Sequence, residues 1–75
     1  MIRCIIVDDE PIARDLLTLY CNQSSNLTLI KTCKNAPEAY ETLCAFEIDL
    51  VLLIFYGHYG NRRLSYLLLL IQNML

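Results

Sequence analysis

The stretch that most constrains this chain is its beginning: a near-continuous apolar run, Ile2–Val7, that stops abruptly at Asp8-Asp9-Glu10-Pro11. A short run of Ile, Cys and Val predicts a strand buried on both faces. Proline close behind acidic residues predicts a helix start, because the first turn has no use for the N–H that proline lacks. Ile12, Leu16, Leu17, Leu19 and Tyr20 then recur at helical spacing, with Arg14, Asp15 and Thr18 mostly on the other face.

The rest of the chain extends that pattern. Asn22-Gln23-Ser24-Ser25-Asn26 reads as a polar loop and residues 27–32 as a second strand. Asn35-Ala36-Pro37-Glu38 opens a second helix, with Asn35 as its cap and Ala39, Tyr40, Leu43, Cys44 and Phe46 as its apolar face. Tyr20 and Tyr40 are expected to complete helix faces in the core. Residues 48–55 (IDLVLLIF) predict a third strand. The order β-α-β-α-β with short connections is that of a parallel sheet. Right-handed crossovers put the first strand in the middle, giving the order 2-1-3. Sites in such sheets assemble at the carboxyl ends of the strands.

After Phe55 the composition changes. Residues 56–75 hold both glycines, the only histidine, three of the five tyrosines and two arginines, but no acidic residue. Gly57 and Gly60 predict a loop over 56–63, with His58 a plain surface residue. Residues 64–75 predict a short helix, apolar nearly all round, which must be buried or will associate. It is too short to span a bilayer, and membrane association is not expected.

Composition narrows the function classes. Six Lys+Arg against eight Asp+Glu give a net charge of −2, so no basic face for nucleic acid stands out. The four cysteines, at 4, 21, 33 and 44, form no C-x-x-C. With one histidine and no secretory leader, they predict reduced, buried thiols in a cytoplasmic protein rather than a zinc site or disulfide framework. At 75 residues and 56% hydrophobic, the chain is oily enough to need a core and barely long enough to build one.

The residues that carry chemistry are Asp8 and Asp9. Two adjacent carboxylates repel each other, which favours a cation between them. Mg²⁺ suits the place, since it takes one or two carboxylates, keeps several waters and bridges to a phosphoryl oxygen. The alternative is structural: Asp8 or Asp9 caps the helix near Pro11, with Glu10 facing its dipole.

Residues 3–17 (RCIIVDDEPIARDLL), Ala36-Pro37-Glu38-Ala39 and residues 48–53 (IDLVLL) closely resemble the first half of a response-regulator receiver domain, most like regulators with a LytTR-type DNA-binding domain. The resemblance covers residues 1–53, about half of a receiver. It implies a partial flavodoxin-like receiver fold over 1–55, followed by a non-family loop and apolar helix over 56–75. It also implies that Asp8 and Asp9 bind Mg²⁺, and that a histidine kinase is the partner. In that family an Asp ending the third strand accepts the phosphoryl group. Here that position is Ile54, which has no oxygen to attack phosphorus, so phosphate acceptance is not expected and Mg²⁺ binding is expected to be weak. Asp49 precedes the third strand and cannot substitute. The family's M-P-x-M-x-G segment is replaced by Tyr56-Gly57-His58-Tyr59-Gly60-Asn61. A change of reading frame near Leu53 would account for both the lost acceptor and the altered composition.

The expectation is therefore a truncated receiver domain associated with phosphorelay signalling, not an enzyme and not a DNA binder. The alternative is a small interaction module that self-associates through the third-strand edge or the C-terminal helix, without phosphate chemistry.

Overall fold

A computed structural model describes the backbone of residues 1–59 and 62–71, and the side chains of residues 1–53. The elements are β1 (Ile2–Val7), α1 (Pro11–Gln23), β2 (Leu27–Cys33), α2 (Ala36–Ala45), β3 (Leu50–Tyr59) and β4 (Arg62–Ile71). They form one sheet in the order β2-β1-β3-β4. The first three strands are parallel, with β1 in the middle as expected: Ile2 pairs with Leu27 and Val7 with Cys33 on one side, Cys4 with Leu50 and Val7 with Leu53 on the other. The register against β2 shifts between Cys4 and Ile5, which accommodates Ile30 as an extra residue.

The pleat of β1 sorts the core into two halves. Cys4 and Ile6 face α1, where they cluster with Cys21 and are flanked by Leu17, Leu27, Leu29, Leu50 and Leu52. Ile5 and Val7 face α2, clustering with Cys33, Ile48 and Val51 against Ala39 and Leu43. Ile5, Ile6 and Val7 each contribute roughly 1.5–3 kcal/mol by such burial, and with the smaller Cys4 they make four consecutive buried residues of one strand. That is why the opening run shows no alternation.

The helices begin as their sequences dictate. Pro37 lies in the first turn of α2, where Asn35 Oδ1 accepts a hydrogen bond from the Glu38 N–H at 2.9 Å. The Glu38 carboxylate in turn accepts from the Lys34 N–H at 2.8 Å, much as in a capping box. α1 starts at Pro11 with Glu10 in the cap position, and the Glu10 side chain makes no capping bond.

The structure corrects the sequence reading at several points. The helix expected over 64–75 is instead a strand over Arg62–Ile71, antiparallel to β3 from Leu50↔Ile71 to Tyr59↔Arg62. Residues 72–75 lie outside the described residues. A segment apolar on all sides has no period with which to specify a helix, and the open edge of β3 offers it a hydrogen-bonding ladder. The loop expected over 56–63 is replaced by strand up to Tyr59 and again from Arg62, with 60 and 61 outside the described residues. The third-strand edge, one of the two surfaces offered for self-association in the alternative reading, is thus paired along its length by β4. Tyr20 and Tyr40 are not core residues: they are 62% and 70% exposed. Cys4, Cys21 and Cys33 are buried free thiols as expected, but Cys44 is exposed.

Candidate functional site: the carboxyl edge of the parallel sheet

β1 delivers Asp8 to the carboxyl edge of the sheet, where its backbone N–H donates to the Cys33 carbonyl at 3.0 Å and continues the ladder with β2. The Asp8 side chain is buried, only 2% exposed. Its Oδ1 accepts from the Glu10 N–H at 2.9 Å, which bends the chain from β1 into α1. Arg14, one turn into α1, donates from Nη1 to the Asp8 carbonyl at 2.7 Å. Asp9 is exposed and Glu10 partly buried. The two readings of the acidic pair are therefore unequally served. Neither aspartate caps α1 from the cap position, which Glu10 occupies, yet Asp8 holds the turn that precedes it.

The rest of the edge is fixed by register. Val7 pairs with Leu53, so Asp8 and Ile54 stand one position further along neighbouring strands. Ile54 lies within β3, paired with Leu67 of β4. Position 54, next to Asp8 across the β1·β3 pair, is thus an isoleucine and brings no carboxylate to this edge. Among the described residues no group of three or more His, Cys, Asp or Glu side chains is placed to hold a metal ion. The donor chemistry of Asp8 and Asp9 still suits Mg²⁺, which binds through one or two carboxylates and completes its shell with water. With one Asp8 oxygen already engaged by a backbone N–H, the set is sparse.

Asp49 is at the opposite edge. Its Oδ2 accepts from the Arg3 N–H at 3.0 Å, and its own N–H donates to the Arg3 carbonyl at 2.8 Å. Arg3 and Asp8 are five steps apart on β1, roughly 16 Å at about 3.3 Å per residue. Asp49 is fully employed closing the amino edge of the β1·β3 pair.

Two features of the structure have no signature in the sequence. An apolar hollow of about 220 Å³ lies between α2 and the carboxyl ends of β1 and β3, lined by Val7, Ala39, Tyr40, Leu43, Val51 and Leu53. It sits beside the acidic corner, but its lining offers no charged group to a metal or phosphate. The other is a pair of thiols: Cys4 Sγ and Cys21 Sγ are 3.8 Å apart in the α1 half of the core. Burial, and after it the neighbouring Cys21, pushes the Cys4 thiol up to about 12. Residues 17 apart in sequence give no sign of sharing a core half until the facing of each element is known.

Over 53 residues, 71% of its length, the chain is 42% identical to an uncharacterised response regulatory protein of Shewanella oneidensis. Over the same length it is 34% identical to the transcriptional regulatory protein BtsR of Escherichia coli K12 and of Shigella flexneri. The match covers 22% of each relative, so the chain spans about a fifth of the curated proteins it resembles. No family profile matches the chain, and no solved structure matches it significantly.

Proposed function

We infer that this chain, whose matched 53 residues are related to response regulators and fold as a receiver-like α/β unit, serves two-component signalling without taking a phosphoryl group on β3. The observation that carries this reading is Ile54. Phosphoryl transfer to a receiver requires a carboxylate oxygen to attack phosphorus at the end of the third strand, and isoleucine has none. Asp49 is committed to Arg3 at the far edge. Asp8 and Asp9 remain as a weak Mg²⁺ site, where the ion would neutralise adjacent carboxylates. A histidine kinase is the partner by family, bound without phosphate being retained.

Exposure of the chain to acetyl phosphate and Mg²⁺ tests the reading. The expected result is no acid-stable, alkali-labile acyl phosphate above background; labelling at Asp8, Asp9 or Asp49 would overturn it. Mg²⁺ titration tests the metal: weak binding abolished in Asp9→Asn is expected, and binding indifferent to that substitution removes Asp9 from the site. The coding DNA around Leu53 tests the frame change, which requires receiver-like codons in the shifted frame downstream.

A second reading, a small interaction module, draws on the outer face of α1. Ile12, Leu16, Leu19 and Tyr20 are all more than half exposed and lie at helical spacing. Size exclusion at several concentrations separates the two, since a monomer throughout argues against self-association.

A further inference from the structure

We propose that Cys4 and Cys21 constitute a redox site, closing an intrachain disulfide between β1 and α1 when the chain meets a small disulfide oxidant. The fold sorts the four cysteines in a way their spacing does not. Cys4 and Cys21 share the α1 half of the core, buried and with their sulfurs 3.8 Å apart. Cys33 belongs to the α2 half, its Sγ 3.6 Å from Thr42 Oγ1, with the sheet between it and the pair. Cys44 is exposed on α2. The intrachain partner within reach of Cys4 is therefore Cys21. Sulfurs already in contact need approach by only about 2 Å to reach bonding distance.

Access is the other requirement. Cys21 is the one buried residue of α1, so few buried groups hold the helix down and local opening is inexpensive. The elevated Cys4 thiol keeps thiolate scarce in the closed fold, which makes the reaction slow and dependent on that opening. The chemistry balances with one equivalent of oxidised glutathione. One cysteine thiolate attacks a glutathione sulfur, forming a mixed disulfide and releasing one glutathione thiol. The second cysteine thiolate then displaces the other glutathione. Two S–H bonds are broken and one protein S–S bond forms. The two electrons and two protons leave in two molecules of reduced glutathione.

Tryptic mapping resolves every pairing, because cleavage after Arg3, Arg14, Lys31, Lys34 and Arg62 places the four cysteines on four separate peptides. The full-length chain is treated with oxidised glutathione, in native buffer and in denaturant, alkylated, and digested without reduction. In native buffer the peptide pair 4–14 and 15–31 is expected at least tenfold over any other linked pair. Loop-closure entropy favours the shorter spacings, 21 to 33 and 33 to 44, so that preference should vanish in denaturant. Cys44→Ser should leave the native bridge intact and Cys21→Ser should remove it without creating a link from Cys4 to Cys33. Absence of the native bridge in wild type, or comparable linkage of Cys4 to Cys33 or Cys44, overturns the proposal even if Cys21→Ser does not fold.

Discussion

The two sides of this sheet are assembled by different means. On the β2-β1-β3 side, parallel pairing forces the chain to cross over twice, and each crossover lays a helix on one face. Every part of that unit needs its own instruction: a proline to begin α1, an Asn35 cap for α2, and a β1 with apolar side chains toward both helices. On the β3·β4 side the strands follow one another directly and pair antiparallel over ten positions. That arrangement asks little of the sequence beyond β-compatible residues and a return. A segment without helical period can therefore complete a sheet whose other strands are tightly specified.

Perturbing the specified side should do the most damage. Ile5→Ala removes a fully buried side chain from the centre of the α2 half and is expected to cost about 2–5 kcal/mol, a large share of a small domain's stability, measured by urea unfolding. Alkaline pH attacks the same unit from the α1 half. The Cys4 thiol lies near 9.0 when free and about 12 in the fold, so the folded chain holds its proton longer. Stability is then fully present below pH 9.0 and lost as pH climbs toward about 12. Unfolding midpoints across that range check it, and Cys4→Ala should flatten the dependence. A chain ending at Tyr59 probes the other side. Helical circular dichroism should persist, while the bared edge of β3 makes elution more concentration-dependent than for the full chain. Collapse of the helical signal would mean that β4 supports the parallel unit after all. The smallest effect is expected from Asn35→Ala, about 1 kcal/mol for the lost bond to the Glu38 N–H.

The sequence was most informative where several signals coincided. β1 occupies Ile2–Val7 as read, α1 begins at Pro11, and the strand order follows from right-handed crossovers. β3 opens later than its apolar run suggests: Ile48 is buried, but the strand begins at Leu50, because Asp49 instead serves the Arg3 backbone. β4 is not legible because an unbroken apolar run is compatible with either period, and the partner that decides between them is a distant edge. Tyr20 and Tyr40 lie outside the core for a related reason. Periodicity identifies a stripe, but not how much of it the neighbouring elements can cover. The place of Asp8 and Asp9 at the carboxyl edge of the sheet is legible from their position after a buried strand. The bond from the Glu10 N–H to Asp8 and the reach of Arg14 depend on side-chain geometry that spacing does not encode.

The clasp between Arg3 and Asp49 bears on the order in which the chain folds. It joins residues 46 apart, whereas the bond from the Asp8 N–H to the Cys33 carbonyl closes a segment of little more than half that length. The shorter closure loses less chain entropy, so β1, α1 and β2 can consolidate before β3 arrives and locks the amino edge. Pulse-labelled hydrogen exchange during refolding should therefore find the Asp8 amide protected before that of Arg3. The reverse order would mean that β3 docks before β2 and that the long closure leads.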